Sequence, residues 1–315
     1  MIARVVAGVV LGSLLCIPGT GCERAPDSPA NLADAAPKVF VPPVRVVSLS
    51  PAITRTLRDL GAEGWIVGRT PYCRGLGEGV PVVGDLLAID PEALRQVEPD
   101  LVLVQPAHGG VQPAIESLAT ADGFAVESFP IDSLEDLEGM IDALPRILLS
   151  KAGDVSMEET RAMIVALAEL REAMREATSP LPEQIATAAG PIVVLFSIEP
   201  PMAFGEGTFV DGLLGRLGVP NAITARGYPE LSLEDLVRLD PRGVLLLRES
   251  PVGAAESLAE LDALPLAQAM GRVRLVVDEE ALVPGSGWIG AAAKLRAAIE
   301  SIVAGDSSDV EEPSP

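Results

Sequence analysis

From residue 45 onward, the chain alternates short apolar runs with amphipathic stretches. Arg45-Val-Val-Ser48 is rich in β-branched residues and predicts a strand. Ser50-Pro51 then supplies a capping hydroxyl and a proline suited to the first helical position. A helix is expected from there to Leu60, stopped by Gly61. Trp65-Ile-Val-Gly68 predicts a second strand, Asp90-Pro91 opens a helix reaching about Val97, and Leu101–Val104 predicts a third strand. A helix near Pro113–Ala121 and a strand at Phe124–Glu127 follow. Strands and helices that alternate at such short intervals predict an α/β unit with a largely parallel sheet.

A second series starts at Ile192-Val-Val-Leu195. It continues with a helix over Phe209–Leu217 ending at Gly218, a helix opening at Ser232, strands at Val244–Leu247 and Val273–Val277, and a closing helix at Ile289–Val303. Between the two series, Ser156-Met-Glu-Glu159 has the spacing of a capping box. Met163, Leu167, Leu170 and Met174 then recur at three- and four-residue steps with charges opposite, and Pro180 ends the pattern. About 22 helical residues at 1.5 Å each span about 33 Å, enough to cross a domain. The expected fold class is therefore α/β: two α/β lobes with mostly parallel sheets joined by a single long connecting helix. The expected boundaries are 44–155 for the first lobe, 156–179 for the connecting helix and 180–304 for the second lobe.

The two series share a repeat. Glu92-Ala-Leu-Arg-Gln-Val-Glu-Pro99 aligns with Glu234-Asp-Leu-Val-Arg-Leu-Asp-Pro241. Each copy follows a capping residue, Asp90 or Ser232, and each precedes a strand. A generic helix-turn-strand signature is one reading. The other is two homologous lobes, each placing a glutamate in the first turn of an equivalent helix.

The ends of the chain differ from this body. Residues 1–22 carry one early cation, Arg4, an apolar stretch from Val5 to Ile17, a break at Pro18-Gly19 and then Cys22. The stretch is short for a membrane span and suits an export signal. Small residues directly before Cys22 resemble a bacterial lipoprotein processing site, with Gly19 where leucine is usual, so Cys22 is the expected lipidation position. Ordinary secretion, with Cys22 incidental, is the other reading. Residues 23–43, rich in Pro and Ala, read as a flexible tether, and 305–315 as an acidic disordered tail. Because Cys16 lies inside the signal and Cys22 at its end, Cys73 stands alone in the mature chain and has no intrachain disulfide partner. It is either a buried small hydrophobe or a deliberately placed thiol.

Composition narrows the function. The 315-residue chain is 48% hydrophobic and 22% charged, so it can build real cores, and its formal net charge is -22. With a pI near 4.4 it has no basic surface to displace phosphate counterions, which excludes nucleic acid, and no polybasic membrane patch. Aromatic residues are 3% of the chain, too few for a base-stacking platform. A single histidine excludes a multi-histidine metal site. The glycine-rich Gly75–Gly79 and Gly205–Gly207 lack the lysine and spacing of a phosphate loop. Gly285-Ser286-Gly287 is not a nucleophile elbow.

Arg45-Val-Val-Ser-Leu-Ser-Pro-Ala52, Leu60-Gly61, Ile66-Val-Gly68, Val83-Gly84 and the segment Asp90–Gln105 together resemble the substrate-binding proteins of ABC importers for cobalamin, siderophores and haem. Within that class the chain is most similar to the periplasmic cobalamin-binding family, over about residues 44–300. Pro99-Asp-Leu-Val102, placed after the helix with Glu92, is the most specific part. The resemblance implies a ligand cleft between the lobes, no catalysis, no cofactor, a monomer, an ABC transporter permease as partner, and a corrinoid or related metal chelate as ligand. It implies that Glu92 and Glu234 dock on permease arginines, and that Tyr72, Tyr228 and Asp278 line the cleft. Either tyrosine could instead be an ordinary half-buried ring, and Asp278 a turn aspartate after its strand. Leu86 stands where the family has a tryptophan. Arg69, Cys73, Arg74 and Arg226 lie in or beside the cleft loops, so an anionic siderophore or haem is the alternative ligand, with Arg74 and Arg226 as binding candidates. His108 or Cys73 facing a metal centre, an exported enzyme and a scaffold lipoprotein are further alternatives.

Overall fold

The computed structural model describes residues 40–85, 87–106, 110–262, 269 and 271–304. The expected signal, the tether up to residue 39, Cys22, Leu86, His108 and the acidic tail lie outside the described residues. The body begins at Val41 and forms one unit. Its first half runs β1 (Val46–Ser48), α1 (Pro51–Asp59), β2 (Ile66–Arg69), α2 (Pro91–Gln96), β3 (Leu101–Val104), α3 (Pro113–Asp122), β4 (Ala125–Ser128) and α4 (Leu134–Lys151). Then come α5 (Met157–Ala177) and α6 (Glu183–Ala189). The second half runs β5 (Ile192–Ile198), β6 (Pro201–Ala203), α7 (Phe209–Leu217), α8 (Leu233–Leu239), β7 (Gly243–Arg248), α9 (Ala254–Asp262), β8 (Val273–Val277) and α10 (Trp288–Ala304).

Each half holds one four-stranded sheet, ordered β2-β1-β3-β4 and β6-β5-β7-β8. All pairings are parallel except β5 with β6, which is antiparallel. The expected α/β fold, with two lobes and mostly parallel sheets, is the fold observed. Parallel strands are covered on both faces, so they read as continuous apolar runs. Side chains nevertheless alternate, because successive residues point to opposite faces. Val46, Leu101 and Leu103 enter one core while Val47, Val102 and Val104 enter another. In the second sheet, Ile192, Val194, Leu245 and Leu247 join that same first core, while Val193, Leu195, Val244 and Leu246 face a third.

The shared core thus runs through both lobes, filled by side chains of α1, α4, α5, α7 and α10. Its α5 residues are Met163 and Met174, with Leu167 and Leu170 packed against them. The outer faces are covered by Leu94 and Val97 around α2, Ile115 and Leu118 of α3, and Leu236 of α8. One close-packed apolar core thus joins the two lobes.

Polar contacts brace the same junction. Arg216 of α7 donates two hydrogen bonds to the Glu138 carboxylate of α4, at 2.6 and 2.7 Å, and a third to Glu135 at 3.2 Å. Gly212 of α7 leaves room for α4: a Cβ there would lie 2.9 Å from Leu134 Cβ.

The sequence reading assigns no element to residues 129–155, where α4 stands. Its signals were local. Ser133 and Asp136 form a reciprocal capping box, and Leu134, Leu137, Met140, Ile141, Leu144 and Leu148 make a buried stripe. Pro145 sits inside the helix, where a proline usually argues for a break. The short α6, β6 and α9 were also unassigned.

Candidate functional site

All four strands of the first sheet are parallel, so their carboxyl ends share one edge, and open α/β sheets bind ligands outside that edge. The β2–α2 connection leaves this edge at Thr70. Within it, side chains alternate sharply: Tyr72 is 63% exposed, Cys73 is 3% exposed and Arg74 is exposed. The turn is held from below by Arg69. Its guanidinium donates to the carbonyls of Val80, Thr70 and Cys73, at 3.0, 3.3 and 3.4 Å.

The second lobe presents an aromatic wall. Phe196 and Phe204 both meet Tyr228 edge to face, at centroid distances of 6.0 and 5.7 Å, and contact each other at 5.0 Å. Phe204 continues to Phe209, and Phe209 to the buried Trp288. Such edge-to-face stacks fix ring orientation. Tyr228 is the half-exposed end of this relay. Its hydroxyl is held above the usual tyrosine pKa, by burial first and then by the negative charge of Asp132. Asp132 belongs to the β4–α4 connection of the first lobe, so Tyr228 is within electrostatic reach of that lobe.

A charged group crosses the junction as well. Glu280, just past β8, lies 3.7 Å from Arg55 of α1, and Arg55 donates its Nε hydrogen to both Asp59 oxygens. Burial pushes the Glu280 carboxyl up; Arg55 and Arg74 oppose that, while Asp278 and Asp59 add to it. Ser286 donates its hydroxyl to Asp59 at 2.7 Å and its amide to Thr56 Oγ1 at 3.1 Å. Gly285 passes α1 so closely that a Cβ would lie 2.6 Å from the Ala52 carbonyl oxygen.

The residues singled out from sequence fall as follows. Arg74 is within electrostatic reach of Glu280. Asp278 accepts the Glu280 amide at 2.9 Å and pairs with Lys294 at 2.9 Å. Arg226 pairs with Glu206 at 3.4 Å, and both side chains are exposed. Tyr72 makes no ring contact among the described residues. Glu92 and Glu234 are exposed at the second position of α2 and α8, and neither carboxylate has a partner among the described residues. The repeat extends to the backbone: Glu98 and Asp240, each before a proline, share φ 41 and are the two non-glycine residues with positive φ among the described residues. Phe196, Phe204, Arg55, Asp132 and Glu280 were missed in sequence, although each stands within a few residues of a strand or helix end.

The family is decided by comparison with known proteins. Residues 46–270 match the profile of the Periplasmic binding protein family. The chain belongs to that family. Membership makes it a transport binding protein that works outside the cytoplasm, not an enzyme. No curated protein matches the chain in sequence. Among solved structures, it is similar to the periplasmic vitamin B12 binding protein of Vibrio cholerae, with 15% identity, TM-score 0.63, and 82% and 98% of the two chains covered. It is also similar to a periplasmic haem-binding protein from Pseudomonas aeruginosa, with 24% identity, TM-score 0.56 and coverage of 80% and 91%. A third is a protein of an Fe3+-hydroxamate transport system from Saccharomonospora viridis, with 20% identity, TM-score 0.56 and coverage of 82% and 93%. At these identities the likeness is one of fold.

Two surface hollows of this binding protein lie elsewhere. One of about 270 Å³ is lined by Glu138, Ile141, Asp142, Leu170, Arg171 and Met174. The other, of about 460 Å³, is lined by residues around Arg95, Glu98 and Asp122. Neither includes a residue singled out for the cleft.

Proposed function

We propose that the protein captures cobalamin or a related corrinoid in the cleft and delivers it to the permease of an ABC importer. Tyr228 and Tyr72 are the apolar contacts for the macrocycle, one from each lobe. Arg74, Arg226 and Asp278 stand at the rim. The observation that carries the ligand choice is the charge pairing around the cleft. Arg69 is spent on backbone carbonyls, Arg226 is paired with Glu206, and Arg74 lies within electrostatic reach of Glu280. Cations already opposed by carboxylates favour a ligand rich in amides over an anionic one. A ferric siderophore or haem is the second reading, supported by the exposure of Arg74 and Arg226.

Docking rests on the repeat. α2 and α8 each lead into the amino end of the next strand, so Glu92 and Glu234 stand toward the carboxyl edge that borders the cleft. Each is a carboxylate on a first helical turn with no partner among the described residues, placed to meet a cation of the permease and set the orientation of docking. Its neighbour Asp235, by contrast, is committed to Ser232 and Arg238. The protein acts as a monomer, held to the membrane by a lipid on Cys22 alone. No helix among the described residues is long and apolar enough to cross a membrane. Calorimetric titration with cyanocobalamin, cobinamide, haemin and a ferric hydroxamate tests the ligand. Corrinoid binding upholds the proposal, and binding of haemin or the hydroxamate alone replaces it with the second reading.

A further inference from the structure

Burying hydroxyl groups is costly unless they are paired, so a concentration of them calls for a purpose. The carboxyl end of β1 holds one. Ser48, Ser50, Thr54, Thr70 and Cys73 are each at most 3% exposed and stand together. Ser48 Oγ donates to the Ser50 carbonyl at 3.1 Å. Thr54 Oγ1 lies 2.8 Å from Ser48 Oγ and 3.0 Å from Cys73 Sγ; with one proton it donates to one of them at a time. Thr70 Oγ1 lies 3.2 Å from the same sulfur and accepts the Tyr72 amide at 3.2 Å. Cys73 Sγ also lies 3.8 Å from the Ser48 carbonyl oxygen, and its amide donates to the Thr70 carbonyl at 3.3 Å. Ser50, which caps α1, donates its hydroxyl to Gln105 just beyond β3 at 2.5 Å.

This network ties together the ends of β1, β2 and β3 and the start of α1. What it fixes is the turn at 70–74. Cys73 points into it, and the residues on either side, Tyr72 and Arg74, are the exposed ones. Apolar packing would bury Cys73 equally well but would add no directional hold to the one that Arg69 gives from below. Hydrogen bonds are directional, and a fully paired buried network specifies one arrangement.

We propose that Thr54 and Cys73 are positioning residues for ligand capture: through the hydroxyl–thiol network they hold the turn that presents Tyr72 and Arg74 to the cleft. This rests on the assignment of Tyr72 to the cleft. Neither residue touches ligand; each acts through the backbone of residues 70–74.

The test compares pairs that differ in hydrogen bonding but little in size. Thr54→Val and Cys73→Ala break the network; Thr54→Ser and Cys73→Ser retain it. The first readout, on the full chain, is amide hydrogen exchange at Tyr72 and Cys73. Loss of one net hydrogen bond is expected to speed exchange there about tenfold in the apolar variants, with amides of α10 unchanged and with rescue by the serine variants. The second readout is cyanocobalamin affinity, expected to fall about tenfold in Thr54→Val and to recover in Thr54→Ser, beside Tyr72→Ala as reference. Unchanged exchange in both apolar variants overturns the proposal, even where Tyr72→Ala weakens binding. Faster exchange with full affinity in Thr54→Val also overturns it where Tyr72→Ala weakens binding. Full affinity in Tyr72→Ala then shows that the cleft assignment of Tyr72 has failed, and not the network.

Discussion

Arg216→Met removes a bidentate polar brace between the two lobes, and its cost follows from geometry. The guanidinium of α7 meets Glu138 of α4 through two short bonds and Glu135 through a third, with the Arg216 and Glu138 side chains about one-third exposed. Exposed ion pairs contribute up to about 1 kcal/mol, and bidentate geometry puts this one at the upper end. Solvent screening keeps it from being worth more. The coupling between Arg216 and Glu138 is therefore expected at about 1 kcal/mol, a shift of about 2–4 °C in the unfolding midpoint for a body of this size. The assay is a double-mutant cycle of Arg216→Met and Glu138→Gln, followed by thermal unfolding at low and at high salt. The single arginine variant should fall furthest, because it leaves Glu135 and Glu138 as unpaired like charges on one helix face. High salt should reduce the coupling without abolishing it. A coupling below about 0.3 kcal/mol, the value for independent sites, would refute the claim that this pair braces the lobes.

Three other outcomes are expected. Glu280 has its folded-state pKa raised, so it binds its proton more tightly in the fold than when unfolded, and its ionisation costs stability as pH rises through and above the ordinary glutamate range. Glu280→Gln should raise the unfolding midpoint at neutral pH and have no such effect below that range; an equal gain at both pH values would contradict the assignment. In a Tyr72→Phe background, Tyr228 is the one remaining tyrosine, and its ultraviolet titration should lie above the ordinary value. Asp132→Asn should move that titration down, and no movement would mean that Asp132 does not face Tyr228. Replacing Glu92 and Glu234 together by alanine should spare ligand affinity while lowering import in vesicles carrying the cognate permease, and unchanged import would remove them from the docking face.

Much of the fold was legible because its signals are local. Ser50-Pro51 and Asp90-Pro91 each cap a helix with a side chain and fix its first turn with a proline, and both helices open where expected. The apolar runs at Leu101–Val104 and Val244–Leu247 read as strands because burial on both faces leaves no polar alternation. The α4 helix escaped notice because Pro145 interrupts an otherwise regular stripe, although the first turn is already secured by the Ser133–Asp136 box. Strand β6 is three residues long and antiparallel, too short to carry a pattern.

The candidate site was legible only in part, for a different reason. The two tyrosines and the repeated glutamates stand out by rarity and by recurrence. Phe196 and Phe204 become a wall for Tyr228 only when β5 folds against β6, and Arg55 meets Glu280 across 225 residues of sequence. Asp278 shows the limit of a position read alone: the fold commits its oxygens to the Glu280 amide and to Lys294.

Capture of a corrinoid in the cleft between the lobes is open to direct test. Calorimetric titration of the purified protein with cyanocobalamin tests it most directly, with haemin and a ferric hydroxamate as parallel ligands and Tyr228→Ala as the control. One site is expected, with a dissociation constant below about 1 μM, a binding free energy beyond about −8 kcal/mol, weakened by about 1–3 kcal/mol in Tyr228→Ala. Absence of corrinoid binding, or corrinoid binding indifferent to Tyr228, would contradict it.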